Sequence, residues 1–181
     1  MNVTVWPIRF WLWMWKNKHN KAPDLMTEPL WQSFRVLPTD VDINMHLNNA
    51  RYLRFMEMGR WSLLARNKIL KKAFKKKYAG IVAGINMRYR RSIKPFEHFQ
   101  LVTQIYDWDE KWFYLRQFFI NSKDQISAVG YVRIVFLKNG RAVKSQQFID
   151  DFQLKLQKAD PDTTFTELIT ANDELIHRYK S

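Results

Sequence analysis

Asp40, Asp42, Asn44 and His46 fall within seven residues of the segment Thr39-Asp40-Val41-Asp42-Ile43-Asn44-Met45-His46-Leu47-Asn48-Asn49-Ala50-Arg51-Tyr52. All four side chains can hydrogen-bond, and three of them titrate. A carboxylate can act as a general base toward water or as a nucleophile, and a neighbouring imidazole can orient it or move a proton. Asn48 and Asn49 come directly after. Asn is a favoured N-cap, because its side-chain oxygen accepts from the first free backbone N–H groups, so either residue is a natural helix start. Free amides and the positive end of a helix dipole favour developing negative charge. A base beside oxyanion donors is what acyl transfer requires. Asp42 is the candidate for chemistry. Asp40, just after Pro38, reads as the cap of a turn. His46 suits a chemical role and a backbone contact about equally, and the stretch offers too few ligands for a metal.

The elements that must hold this cluster can be read from periodicity. Residues 31–37 (WQSFRVL) have strand composition and end at Pro38. A helix is expected over 49–76, because Tyr52, Phe55, Met56, Gly59, Leu63 and Leu64 recur at three- and four-residue steps and share a face. Arg51, Arg54, Arg60 and Arg66 lie off that stripe. Extended segments follow at 79–93, 99–108, 112–121 and 127–137, with a short one near 141–143. They are punctuated by Asp109-Glu110-Lys111, Ser122-Lys123-Asp124-Gln125 and Asn139-Gly140, all turn-forming sequences. A tail from residue 149 onward reads as helical in two pieces, broken near Pro161. Strand, loop, long helix and β-meander, with no βαβ alternation, predict an α+β domain: an antiparallel sheet wrapped around one helix. The expected division is a segment and linker at 1–30, the domain at 31–150 and a helical tail at 151–181.

The 181 residues carry a formal charge of +13 and a pI near 10.0. That excess favours anionic partners: nucleic acid, an anionic membrane, or a phosphorylated ligand such as coenzyme A. The run Lys71-Lys72-Ala73-Phe74-Lys75-Lys76-Lys77 is either a solvated helix end or a landing patch for an acidic partner. Residues 1–15 (MNVTVWPIRFWLWMW) hold four of the eight Trp and precede a basic stretch. A bilayer span needs about 20 apolar residues, and Pro7 and Arg9 interrupt this one; no small-residue cleavage site follows it. Two readings remain open for residues 1–21: peripheral contact with an anionic membrane, or packing on the domain or a partner subunit. The absence of Cys excludes disulfides, thiolate catalysis and Cys-ligated zinc, and suits a reducing cytosol. A cytoplasmic protein is expected, resting on the inner membrane face under the first of these two readings.

The order of elements, with the polar motif just ahead of the helix, resembles the hot-dog fold thioesterases. The closest likeness is to the 4-hydroxybenzoyl-CoA thioesterase-like branch, including the thioesterase superfamily member six group, over roughly Trp31 to Asp150. The motif Asp-x-Asp-x-x-x-His-x-Asn-Asn-x-x-Tyr is filled by Asp40, Asp42, His46, Asn48, Asn49 and Tyr52. Trp108-Asp109 with Trp112-Phe113-Tyr114 fits the hairpin of the member-six group. Asp42, Asn44 and His46 also look like the catalytic loop of acyl-ACP thioesterases. That loop is associated with a further Cys or Glu; this chain has no Cys, and Glu57 is the nearest helix carboxylate.

The resemblance implies hydrolysis of an acyl-CoA or acyl-carrier-protein thioester without a cofactor or metal. Asp42 would be the base or nucleophile, with Asn44 and His46 as helpers and the amides near Asn48 and Asn49 polarising the carbonyl. Tyr52, Phe55, Met56 and Gly59 would line the acyl channel. The family places its site between two subunits whose sheets join edge to edge, implying a homodimer or a tetramer built from it. Arg88, Arg90 and Arg91 can grip coenzyme A phosphates or form a solvated strand face. The alternative is a non-catalytic acyl-CoA-binding or membrane-associated module of the same fold. Nucleic-acid binding rests on charge alone and is not expected. No Gly-x-Ser-x-Gly elbow, phosphate-cradling Gly-rich loop or metalloprotease pair is present.

Overall fold

A computed structural model describes Ile8, Leu12 and residues 28–156. The elements are β1 (Leu30–Arg35), a 3-10 turn (Pro38–Asp40), α1 (Asn49–Arg66), α2 (Ile69–Lys75), β2 (Tyr78–Tyr89), β3 (His98–Trp108), β4 (Phe113–Ile120), β5 (Ile126–Lys138), β6 (Arg141–Ala142) and α3 (Ser145–Phe152). The strands form one antiparallel sheet in the order β1-β3-β4-β5-β2, with β6 paired to β5. The sheet wraps α1, the expected α+β arrangement. β-Bulges interrupt the registers at Val82/Gly84, Ile105/Asp107 and Phe119/Ile120; each adds twist and lets the sheet curl. The expected tail outside residues 28–156 and the expected segment at 1–21, apart from Ile8 and Leu12, lie outside the described residues.

The core is largely aromatic. Phe55 of α1 meets Phe34 and Phe99 with ring centroids 5.0 Å away, and Tyr52 meets Phe119 at 4.7 Å. At the other end of the sheet, Phe148 of α3 stacks on Phe136 at 3.6 Å and Phe152 lies against Tyr78. α3 begins at Ser145, earlier than the expected 149, because its apolar residues Phe148, Ile149 and Phe152 cover this end of the barrel.

α1 comes close to the sheet because residue 59 lacks a side chain. A Cβ there would stand 2.4 Å from Thr103 Oγ1, 2.8 Å from Gln117 Nε2 and 3.0 Å from Leu101 Cδ2. A polar seam occupies this contact. Gln117, wholly buried, donates through Nε2 to the Met56 carbonyl (3.0 Å) and to Thr103 Oγ1 (2.8 Å). Two acceptors for that nitrogen fix the amide, leaving Oε1 to accept from Arg60 (3.0 Å).

The expected single helix over 49–76 is two helices. Asn67 closes α1, its side chain and backbone N–H both reaching the Leu63 carbonyl, and Lys68 takes a left-handed backbone, φ 58°. Neither is Gly or Pro, and Asn is the weaker of the two residues that mark a helix end. The hairpins occur as expected. Asp109 Oδ1 accepts from the Lys111 and Trp112 amides, and Asn121 Oδ1 from those of Lys123 and Gln125. Asn139 (φ 52°) and Gly140 (φ 80°) both have the positive φ of the tight turn their sequence announces.

Candidate functional site

The polar segment folds back on itself before α1. An isolated bridge pairs Val41 with Leu47, and the Asp42 amide donates to the His46 carbonyl (3.0 Å). Met45 turns the chain at φ 56°. Inside this loop, Asp42 Oδ1 accepts from the Asn44 amide (2.9 Å) and, at longer range, the His46 amide (3.4 Å). Among the described residues, Asp42 Oδ2, the Asn44 side-chain amide and the His46 ring have no protein hydrogen bond. One carboxylate oxygen is thus held by backbone while the other keeps its lone pairs for an outside proton. His46 reaches Asp42 through its main-chain amide, and its ring makes no hydrogen bond among the described residues.

Asp40 is structural, as its position after Pro38 suggested. It is 1% exposed, accepts from the Leu37 amide (3.0 Å), and lies 4.0 Å from Arg51 Nε. Its carbonyl takes the Asn48 amide (2.9 Å), and the Leu47 amide donates to Ile93 (2.9 Å), so the loop is pinned to the body on both sides.

Asn48 is the N-cap, its Oδ1 accepting from the Ala50 amide (2.9 Å), and the Arg51 amide donates to the Asn48 carbonyl (2.8 Å). With the amides of Asn48, Ala50 and Arg51 occupied, that of Asn49 is left unpaired among the described residues. Of the two amides expected to polarise a carbonyl, Asn48's is therefore spent and Asn49's is available. It sits at the positive end of an 18-residue helix. The end of β2 adjoins this helix start: the Tyr89 hydroxyl lies 3.5 Å from the Asn49 carbonyl, and the Tyr89 and Tyr52 rings meet at 5.1 Å. Burial, with Tyr89 and Glu97 nearby, pushes the Tyr52 phenol above its ordinary range.

Arg90 and Arg91 follow directly. Their amides both donate to the Ser127 carbonyl (2.8 and 3.0 Å), the Arg91 guanidinium reaches the Ile126 carbonyl (3.2 Å), and both side chains are exposed. β2 pairs with β5 on one side only, and Ile81, Val82, Ile85 and Tyr89 along it are exposed.

Within this chain, the residues expected to line an acyl channel are core. Phe55 and Met56 are fully buried, Tyr52 nearly so, and Gly59 is the helix–sheet contact. A cavity of about 200 Å³ lies elsewhere, between the second half of α1, α2 and β2. Its walls include Trp61, Leu64, Leu70, Phe74, Val82 and Phe136, and Glu57 and Arg60 are its charged members. Sequence reasoning missed it because the cavity is made by the break at Lys68, which swings α2 across the sheet. Arg60, expected off the buried stripe, is partly buried and bonded to Gln117. Among the described residues, no group of three or more His, Asp or Glu is arranged to hold a metal, and no helix is long and apolar enough to cross a membrane.

A curled antiparallel sheet around a central helix, with a polar loop at the helix start, defines a hot-dog domain. Residues 36–162 match the model of the thioesterase-like superfamily, and the chain belongs to that superfamily. It is 37% identical over 129 residues to Protein THEM6 of Danio rerio, covering 71% of this chain and 61% of that protein. It is 30% identical over 107 residues to a probable thioesterase of Saccharomyces cerevisiae, covering 58% of this chain and 46% of that one. The chain thus spans between about half and three-fifths of these relatives. The fold matches the crystal structure of a probable thioesterase from Escherichia coli with a TM-score of 0.65 at 22% identity, over 71% of this chain and 99% of that one.

Proposed function

We propose that the protein hydrolyses acyl thioesters, with Asp42 as general base and the Asn49 amide as the carbonyl's partner. The observation that carries this reading is the half-satisfied Asp42 carboxylate in a pinned loop that leads directly into a helix whose Asn49 amide is unpaired among the described residues. Asp42 Oδ2 takes a proton from water, and the hydroxide oxygen attacks the thioester carbon. The charge that builds on the carbonyl oxygen is stabilised by the Asn49 N–H and the helix dipole. The tetrahedral intermediate collapses, the C–S bond breaks, and the thiolate leaves and is protonated. The unpaired His46 ring and the exposed Asn44 amide, on the same loop, serve the leaving group and the water. Attack by Asp42 itself, through a mixed anhydride, uses the same groups.

The carrier is coenzyme A or an acyl carrier protein, both anionic and both suited to a chain of charge +13. Exposed Arg90 and Arg91, next to the strand end that meets the helix start, are the candidate phosphate contacts. The open, partly apolar edge of β2 supports a dimer joined through that strand. Residues 1–21 remain a candidate membrane contact, tested by co-sedimentation of full-length and truncated protein with anionic vesicles.

The deciding experiment is thiol release from acyl-CoAs of graded chain length, on wild type and Asp42→Asn. Removing a general base costs about 10²–10⁴-fold in rate. Retained turnover in Asp42→Asn refutes the assignment, and no turnover by wild type on CoA or carrier-protein thioesters refutes hydrolysis.

A further inference from the structure

Arg60 has an unusual setting. Its guanidinium is partly buried, and among the described residues its one hydrogen bond is to the neutral Gln117 Oε1 (3.0 Å). No carboxylate of the described residues lies within ion-pair distance. Glu57, one turn earlier on α1, is exposed and acts on it only through long-range attraction. Charges withdrawn from water are ordinarily paired. Burial pulls this guanidinium down to about 10, which still leaves it charged at neutral pH.

Arg60 is also the cation of the cavity between α1, α2 and β2, whose other lining residues, Glu57 apart, are mostly apolar. Gln117, locked by its two acceptors on Nε2, holds the guanidinium in place. Trp61 (39% exposed) and Phe74 (68% exposed) line the same cavity and leave large apolar surfaces in water. Lys71, Lys72 and Lys75 on α2 are exposed beside them and favour approach of an anion.

We infer that this cavity is a binding site for a free monocarboxylate with an apolar body, the carboxylate bridging to Arg60 and the chain lying along Leu64, Leu70, Phe74 and Phe136. An apolar cavity of about 150 Å³ accepts a six-carbon ring, so about 200 Å³ suits a chain of about eight carbons. None of Asp42, Asn44, His46, Asn48 or Asn49 lines it. The site is separate from the proposed hydrolytic centre and does not depend on it.

The test is titration calorimetry of the full chain with octanoate and with its neutral isostere octanamide. A charge-assisted pair predicts that wild type prefers octanoate by at least about tenfold. Arg60→Gln removes that preference while still binding octanamide, Ala73→Phe, which fills the cavity, abolishes binding of both, and Asp42→Asn changes neither. Equal affinity of wild type for the two ligands, a preference retained in Arg60→Gln, or undiminished binding in Ala73→Phe overturns the inference. If Arg60→Gln does not fold, the wild-type preference and the Ala73→Phe result decide it alone. Because Asp42→Asn is carried through the same titrations, a protein that binds octanoate but hydrolyses nothing refutes the proposed reaction and leaves this site standing.

Discussion

Gly59→Ala sets two familiar effects against each other. In an exposed helix interior the change stabilises by about 1 kcal/mol, since Gly loses more backbone freedom than Ala on folding. Here the new methyl arrives 2.4 Å from Thr103 Oγ1 and 2.8 Å from Gln117 Nε2, distances no Cβ tolerates. Either α1 lifts from the sheet or the Thr103–Gln117 hydrogen bond breaks. Overpacking costs about 1–3 kcal/mol, and leaving a buried polar group unpaired costs about another 1–3. The net expectation is a loss of about 3 kcal/mol. With an m-value of about 2 kcal/mol/M, the urea midpoint falls by about 1.5 M at unchanged slope. Thr103→Ala in the same background removes the closest of these collisions, so the pair should be non-additive by about 1 kcal/mol or more. A Gly59→Ala protein as stable as wild type, or more so, refutes the claim that this contact sets the helix–sheet distance.

Asp40→Ala should cost about 2 kcal/mol in chemical unfolding, because the Leu37 amide loses its buried acceptor, whereas Asp42→Asn should leave the midpoint within about 0.5 kcal/mol and act on turnover. Tyr52, Tyr78 and Tyr114 should resist ionisation in the folded protein. Burial raises all three phenols, and hydrogen bonds to Asp151 and Asp109 add to the effect at Tyr78 and Tyr114. Their folded values lie above the unfolded value of about 10, so their stabilisation is complete below about pH 10 and is lost as pH rises beyond it. Absorbance at 295 nm should show these tyrosines ionising together with loss of circular dichroism; all seven titrating near pH 10 in an intact fold would contradict this.

The strands were legible because their aromatic and branched residues alternate between turn sequences that name themselves, Asn139-Gly140 above all. The helix start was legible because Asn48 is a capping residue in the right place. The helix end was missed: Asn67, a weaker stop signal than Gly, closes α1 by a side-chain bond to Leu63, and the left-handed Lys68 leaves no compositional mark. Tyr52, Phe55 and Met56 look the same in sequence whether they line a channel or pack a core, and only the course of α2 shows where the empty volume lies. Arg60 reads as a surface cation until Gln117, 57 residues later, is found beneath it. The cluster at Asp42 was legible because its members are contiguous. Which of its hydrogen bonds are already taken is a matter of loop geometry and needed coordinates.

The left-handed lysine at position 68 has a dynamic consequence. A non-Gly residue there costs about 1–2 kcal/mol, and the helical hydrogen-bond ladder of α1 ends at it, so α2 has to hold itself. Seven residues are too few for a helix to persist alone; packing of Ile69, Leu70 and Ala73 supplies the rest. α2 therefore opens as a unit of its own, at a lower free energy than the molecule as a whole. In hydrogen exchange its amides should trade ahead of those at 53–63 and report that opening separately. Each opening event removes one wall of the cavity that holds Arg60, so a ligand packed against α2 should slow that opening and the exchange of its amides.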